Sequence, residues 1–338
     1  MIEEKLEIIL ITYNRPKDLE NTLKQLLKGP FVNCKFTVID NCSTDETPEI
    51  CLKYQQLFPK MRIIRNKLNI GANPNYLRAV ETSNSLYTWI LCDDDSFDFS
   101  DCLDVIDAID SEKPDIIIVT SHFQQGWERG LFTSSRKLLK NGSRYYHTLS
   151  FWPAIIFKTD LYDSNCIHKG YFNVPNLYPH FEFINHSIEE DFKVYVSKKE
   201  IVKNIDEHHP GFPLLHSTVG WMNSCLLIKD KEIRKQTIYF KETYPEIIEY
   251  FCVIILIEKL NNRNIFNYII QLKNAFILNF GLSKDLFILL LIYIFALAPA
   301  FCYELVLKAY MIKDKERTER FLKDIRGESS ENKSIFRY

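Results

Sequence analysis

Four short apolar runs, Leu6 to Thr12, Phe36 to Asp40, Met61 to Arg65 and Tyr87 to Cys92, recur early in the chain and are separated by stretches with helical periodicity. Strands joined through helices must run parallel, and a parallel sheet has to be covered on both faces, so this alternation predicts an α/β fold with a mostly parallel, Rossmann-like sheet flanked by helices. A fifth run, Asp115 to Thr120, extends the series. The first intervening helix carries Leu19, Leu23, Leu26 and Leu27 on one face, opens near Pro16 and stops at Gly29-Pro30. A second is expected to begin at Ser43-Thr44-Asp45-Glu46, a capping-box pattern with Pro48 in its first turn, a third at Pro74 and a fourth near Ser100.

In an open sheet of this kind ligands gather beyond the carboxyl ends of the strands. The segments there are polar: Thr12-Tyr13-Asn14-Arg15-Pro16, Asp40 to Asp45, Asn66 to Asn73 and the triplet Asp93-Asp94-Asp95. Three consecutive carboxylates closing an apolar strand suit a hard divalent ion, Mg²⁺ or Mn²⁺, which takes oxygen ligands from one or two carboxylates and from substrate phosphates. The other use of such a turn is to cap the helix that follows.

Composition narrows the class. With 338 residues and 46% apolar content the chain can fill a sizeable core, which excludes a disordered protein. Forty-two basic residues against forty-four acidic ones give a formal charge of −2, so no global field draws it to nucleic acid. The nine cysteines are scattered without a C-x-x-C pair and read as reduced, cytosolic thiols. Met1-Ile-Glu-Glu-Lys5 lacks the basic and then apolar pattern of a secretory signal, which predicts a catalytic part facing the cytoplasm.

Taken together, Ile8 to Pro16, Val38 to Asp45, Asn69-Ile-Gly-Ala-Asn-Pro-Asn75 and Trp89 to Asp95 resemble the family-2 glycosyltransferases of the GT-A fold, with four motifs in order and at the right spacing. The resemblance is close from about residue 6 to 100, and the later part is more loosely similar to the abequosyltransferase-like members that build bacterial surface polysaccharides. It implies that Thr12, Tyr13 and Arg15 border a nucleotide, that Asp40 accepts a hydrogen bond from the base, and that Asn69 and Gly71 belong to the same donor site. A strand-end carboxylate can read a ring N–H, although Asp40 and Asp45 also suit turn and capping roles. Gly71 either lets the backbone pass close to the nucleotide or makes a turn. Within the triplet the resemblance implies Asp93 near the ribose and the ion, Asp95 as the direct metal ligand, and Asp94 as a hydrogen-bonding or capping residue.

Inverting transfer also needs a base for the acceptor hydroxyl. Family members commonly supply it from a Glu-Asp pair opening a helix ten or more residues before a strand. Here Glu189-Glu190-Asp191 runs directly into the strand Lys193 to Val196, and counting back places Tyr178-Pro-His180-Phe-Glu182 where the pair would stand. His180, Glu182 and Asp191 are therefore all base candidates. His208, His209 and His216 follow the next strand, where some relatives place a metal-coordinating histidine, and Trp127, Trp152 and Trp221 could form a sugar-stacking wall or pack in the core.

The domain organisation expected is a GT-A domain over 1–220, with 1–120 binding the nucleotide sugar and 121–220 facing the acceptor, then a helical region over 221–326 and a polar tail over 327–338. The uncharged run Leu286 to Tyr303 is at the short end of what spans a bilayer, about 20 residues, and Pro299 interrupts it. It precedes Lys308, Lys313, Lys315, Arg317, Arg320, Lys323 and Arg326, which suits a helix dipping into a membrane with cations at its anionic surface; a buried helix or oligomer interface is the other reading.

The chain is thus expected to be an inverting, metal-dependent glycosyltransferase at the cytoplasmic face of the inner membrane. It would move one sugar from a nucleoside diphosphate donor to a lipid-linked glycan in bacterial surface polysaccharide synthesis. A catalytically inactive sugar-nucleotide-binding or scaffold protein is the alternative from another class. A nucleotidyltransferase would need a Gly-rich basic loop after the first strand, where this chain has Thr12 to Pro16. No nucleic acid partner is expected.

Overall fold

The computed structural model describes residues 2–99, 102–119, 127–141, 145–203 and 214–238, with the single positions 255, 270, 271, 274, 294, 297, 298, 302 and 305. The chain divides into two compact units, Met1–Asp206 and Glu207–Tyr338. In the first unit the strands are β1 (Leu6–Thr12), β2 (Lys35–Asp40), β3 (Met61–Arg65), β4 (Tyr87–Cys92), β5 (Ser96–Phe97), β6 (Ile116–Ile118), β7 (Leu131–Ser134), β8 (Ile155–Lys158), β9 (Lys193–Val196) and β10 (Val202–Lys203). Its helices are α1 (Ile2–Lys5), α2 (Pro16–Leu26), α3 (Thr47–Gln55), α4 (Ala72–Thr82), α5 (Leu103–Asp107), α6 (Ser135–Asn141), α7 (Tyr145–Ser150), α8 (Ser164–Asn173) and α9 (Phe181–Glu189).

The main sheet has the order β3-β2-β1-β4-β8-β6-β9-β7, and β5 pairs with β10 in a separate ribbon. Strands β1 to β4 pair in parallel, as the apolar runs predict, and β1 at their centre is buried along its whole length. Each of its buried Leu and Ile side chains contributes about 1.5–3 kcal/mol, which explains why the most apolar run takes this place. Strand β8 runs antiparallel to both β4 and β6, so β6 and its parallel neighbour β9 point the same way as β1 and β4. Six strand ends therefore share one carboxyl rim, and the starts of β6 and β9 lie on the opposite, amino rim.

Two boundaries differ from the sequence expectation. Helix α3 begins at Thr47, not at Ser43, because Ser43 is committed elsewhere: its N–H donates to Asp40 Oδ1 (2.9 Å) and its Oγ accepts from the Asn14 N–H (2.9 Å). Asp45 instead receives the Thr47 N–H at 3.0 Å. Helix α4 begins at Ala72, ahead of Pro74, because Gly71 takes φ 84° and turns the chain into the helix.

In the second unit α10 (Leu214–Cys225) and α11 (Lys231–Ile238) are described. Trp221 is buried and its indole N–H donates to the Thr237 carbonyl at 3.1 Å, which is core packing rather than a sugar-stacking wall. His208, His209 and the part of the expected 221–326 helical region beyond residue 238 lie outside the described residues, apart from the single positions given above.

Candidate active site at the carboxyl rim

The pairing register brings the polar strand ends together. Thr12 lies opposite Asp40, and Ile11 opposite Cys92, so the end of β1 sits between the Asp40 loop and the aspartate triplet. Thr12 Oγ1 donates to Asp93 Oδ2 at 2.5 Å, while the other oxygen of Asp93 accepts from Arg15 Nη1 at 3.1 Å. The same Arg15 nitrogen donates to Asp94 Oδ2. Both oxygens of Asp93 are thereby occupied, and Thr22 Oγ1 fastens its carbonyl at 3.0 Å.

Asp95 is different. It is buried, and its Oδ2 has no hydrogen-bond partner. Burial, with Asp94 and Asp93 nearby, holds its carboxyl well above the usual carboxylate range, and burial likewise raises Asp93 against the pull of Arg15. Ligand atoms of Cys92, Asp94 and Asp95 lie within 4.8 Å of one another. Two carboxylates and an orphaned buried oxygen fit a hard divalent cation. The Cys92 thiol, pushed well up by burial, is a poor ligand for such an ion. Asp93 is held by Thr12 and Arg15, and the ligand atoms that converge with that of Asp95 belong to Cys92 and Asp94.

On the other side of β1, Asp40 is buried, with one oxygen on the Ser43 N–H and Oδ2 without a hydrogen bond, 3.5 Å from Arg65 Nη1. An asparagine network that sequence reading did not single out shapes this wall. Asn41 Nδ2 donates to Asn69 Oδ1 (2.7 Å), Asn66 Nδ2 donates to Asn41 Oδ1 (2.8 Å) and to Asn75 Oδ1 (2.9 Å), and Asn69 Oδ1 also receives the Gly71 N–H (2.9 Å). Asn41, Asn66 and Asn69 in adjoining strand-end loops, with Asn75 in the first turn of α4, were the available signal. Asn69 thus braces the loop, and Gly71 serves the turn: it holds a positive φ, and the nearest atom to an added Cβ is Pro74 Cδ at 3.7 Å. Tyr13 is exposed at the same rim.

The three base candidates separate. Helix α9 leads back into β9, so its first turn lies toward the carboxyl rim and its last toward the amino rim. His180 caps its start and is buried; its Nδ1 accepts the Trp152 indole N–H at 2.9 Å, and Trp152 packs on Tyr76 with ring centroids 4.7 Å apart. With Nδ1 engaged the neutral ring carries its proton on Nε2, which has no partner, and burial pushes its pKa down to about 3. In this arrangement His180 offers an N–H, not a lone pair. Gly170 of α8 keeps the neighbouring segment close, since an added Cβ would meet the Pro179 carbonyl at 2.7 Å and Leu77 Cδ2 at 2.8 Å.

Glu182, in the first turn of α9, pairs with Lys169 and accepts from Asn185 Nδ2 at 3.3 Å. Asp191 follows the far end of the helix, at the amino rim, where φ 52° and a hydrogen bond from the Arg136 N–H (3.0 Å) make it a turn residue. It stands across the sheet from the aspartate triplet. Trp127 packs toward Tyr145, with centroids 6.3 Å apart, and His216 belongs to α10 of the second unit.

Residues 7–192 match the family described as Glycosyl transferase family 2. The poly(ribitol-phosphate) beta-N-acetylglucosaminyltransferase TarS of Staphylococcus aureus (strain MW2) is 28% identical over 172 residues, 48% of this chain and 29% of TarS. Abequosyltransferase RfbV of Salmonella typhimurium (strain LT2) is 30% identical over 110 residues, 32% of this chain and 33% of RfbV. The chain thus matches only about a third of the length of these curated relatives. Among solved structures, S. aureus TarS 1–349 in complex with UDP-GlcNAc gives a TM-score of 0.52 at 17% identity, covering 85% of this chain and 90% of that one. The mannosyltransferase PcManGT of Pyrobaculum calidifontis, in complex with GDP-Man and Mn²⁺, gives 0.51 at 11% identity, covering 98% and 88%. At such identities the likeness speaks for the fold alone. The family match spans more than half of the sequence and includes β2, β3, β4 and β6 with nearly all of β1: the chain belongs to the family-2 glycosyltransferases and has their GT-A fold.

Proposed function

We propose that this protein transfers one sugar, with inversion, from a nucleoside diphosphate donor to a glycan acceptor in bacterial surface polysaccharide synthesis. The observation that carries this reading is the buried Asp95 Oδ2 without a partner on one side of the end of β1, with the buried Asp40 Oδ2, held only by Arg65 at 3.5 Å, on the other. Leaving such a group unsatisfied costs about 1–3 kcal/mol, which a ligand can return. Asp40 reads a ring N–H of the base, and Thr12, Tyr13, Arg15, Asn69 and Gly71 frame the nucleotide. Asp95 and Asp94 hold Mg²⁺ or Mn²⁺, and Asp93 anchors Arg15. The ion, when bound, neutralises charge on the departing diphosphate.

Glu182 is the proposed base, because it alone of the three candidates combines the carboxyl-rim end of α9 with lone pairs able to accept the acceptor hydroxyl's proton. His180 donates its Nε2–H and orients rather than deprotonates. The relatives' names point to cell-surface glycopolymers: poly(ribitol-phosphate) for TarS and abequose transfer for RfbV. A lipid-linked acceptor at the cytoplasmic face of the membrane follows from the same reading. In its support, Ile294, Leu297 and Leu305, in and just beyond the uncharged run, are each 59% exposed. Among the described residues no helix is long and apolar enough to cross a membrane. The contact proposed is peripheral or shallow, because the uncharged run is short for a span and Pro299 interrupts it.

A second reading, a sugar-nucleotide-binding protein without turnover, is favoured by one observation: a histidine with its lone pair engaged stands where the family's acidic pair is expected. Purified protein assayed against a panel of nucleotide sugars, with released diphosphate as the readout, separates the two. Release with one donor is expected; tight binding of a donor with no release would favour the second reading.

A further inference from the structure

Arg15 stands where two bound states compete. Its Nη1 donates to Asp93 Oδ1 and to Asp94 Oδ2, while its backbone N–H is pinned on Thr47 Oγ1 at 3.1 Å. Asp94 also offers a carboxylate oxygen that converges with that of Asp95. A guanidinium and a divalent cation cannot share one carboxylate without strong mutual repulsion, since the interaction of such charges a few ångströms apart exceeds thermal energy even near a protein surface. Asp93 keeps a second anchor in Thr12 if the arginine leaves. The side chain of Arg15 is 27% exposed on a rim loop, so its planar fork is free to turn toward an incoming anion.

We infer that Arg15 is a resident counter-ion of the acidic triplet. It holds the Asp94 carboxylate in the nucleotide-free protein and passes to the diphosphate oxygens when donor and divalent ion arrive together. One charge-assisted pairing is exchanged for another of like strength, so the transfer carries little cost. Ion and nucleotide then bind as a linked pair, each raising the affinity for the other by the same factor. This inference rests on the metal site proposed above.

The test titrates Mn²⁺ into the full chain, following free Mn²⁺ by electron paramagnetic resonance, with and without UDP. Wild type is expected to bind Mn²⁺ weakly alone and at least about tenfold more tightly with UDP. Arg15→Met should bind Mn²⁺ alone about tenfold more tightly than wild type and show a smaller gain from UDP, whereas Arg15→Lys, which keeps the charge, should stay near wild type. Equal or weaker Mn²⁺ binding by folded Arg15→Met in the absence of UDP overturns the inference. Should that variant not fold, the Arg15 Nε–H resonance of wild type decides. It is expected to hold its position with Mg²⁺ alone and to shift with Mg²⁺ plus UDP, and an unmoved resonance in the saturated complex overturns the inference. Absence of Mn²⁺ binding in every protein, with UDP present, would instead remove the metal-site reading and this inference with it.

Discussion

At the amino rim of the sheet, Glu7 is buried yet fully engaged: it accepts from Arg62 Nη2 (2.8 Å), Thr37 Oγ1 (2.7 Å), Ser83 Oγ (3.3 Å) and the Asn84 N–H (3.3 Å). Asp115 there accepts from Lys158 Nζ (2.6 Å) and the Lys193 N–H (2.8 Å). At the carboxyl rim, Asp40 and Asp95 are also buried, yet Asp95 Oδ2 has no partner and Asp40 Oδ2 has no hydrogen bond, only Arg65 Nη1 at 3.5 Å. The contrast separates two uses of a buried carboxylate. One ties elements together and is complete in the ligand-free protein; the other is incomplete until something binds.

Mutations sharpen this contrast, beginning with the largest effect. Glu7→Ala should leave the Thr37 hydroxyl and the Asn84 N–H without their acceptor, each costing about 1–3 kcal/mol of stability by chemical denaturation, while UDP affinity of the folded fraction is unchanged. Asp95→Ala should do the opposite, lowering transfer about 10²–10³-fold with no loss of thermal stability. A marked fall in melting temperature would place Asp95 with the structural carboxylates. Glu182→Gln is expected to reduce transfer about 10²-fold while donor affinity stays at the wild-type level; retained transfer would remove Glu182 as the base.

A smaller effect lies in the pH dependence. Asp93 and Asp95 have folded pKa values raised above their unfolded ones, mainly by burial, so their contribution to stability is fully present below the unfolded carboxylate range and is lost as pH rises through the folded values. Without metal, the melting temperature should carry a component that falls from the ordinary carboxylate range upward, and Asp95→Asn should flatten it. A slope unaltered by that substitution would contradict the assignment. The smallest effect belongs to Asp191→Asn, which should leave transfer unchanged, because Asp191 sits at the amino rim with its oxygen on the Arg136 N–H.

Much of this architecture is legible in the sequence wherever the determinants are local. Strands β1, β3 and β4 begin and end where the apolar runs do, and Asp40 and the triplet fall at strand ends as the pattern demands. What resists reading depends on distant partners. The position of β8, antiparallel between β4 and β6, is set by pairings that no local periodicity encodes. The hydrogen bonds that hold Asp93 and Asp94 come from Thr12 and Arg15, about eighty residues away in sequence. The tautomer of His180 is set by Trp152, and neither residue announces the other. The capping-box pattern at Ser43 misleads because its serine is claimed by Asn14 and Asp40.

The central claim is that the carboxyl rim binds a nucleoside diphosphate through a divalent ion held by Asp95. Calorimetric titration of a panel of nucleoside diphosphates into wild type and Asp95→Ala, each with Mn²⁺ and with EDTA, tests it directly. The account predicts that one diphosphate binds wild type at least about tenfold more tightly with Mn²⁺, and that Asp95→Ala loses this difference. Binding that is equal in Mn²⁺ and EDTA for wild type, or a Mn²⁺ effect that survives Asp95→Ala, would contradict it.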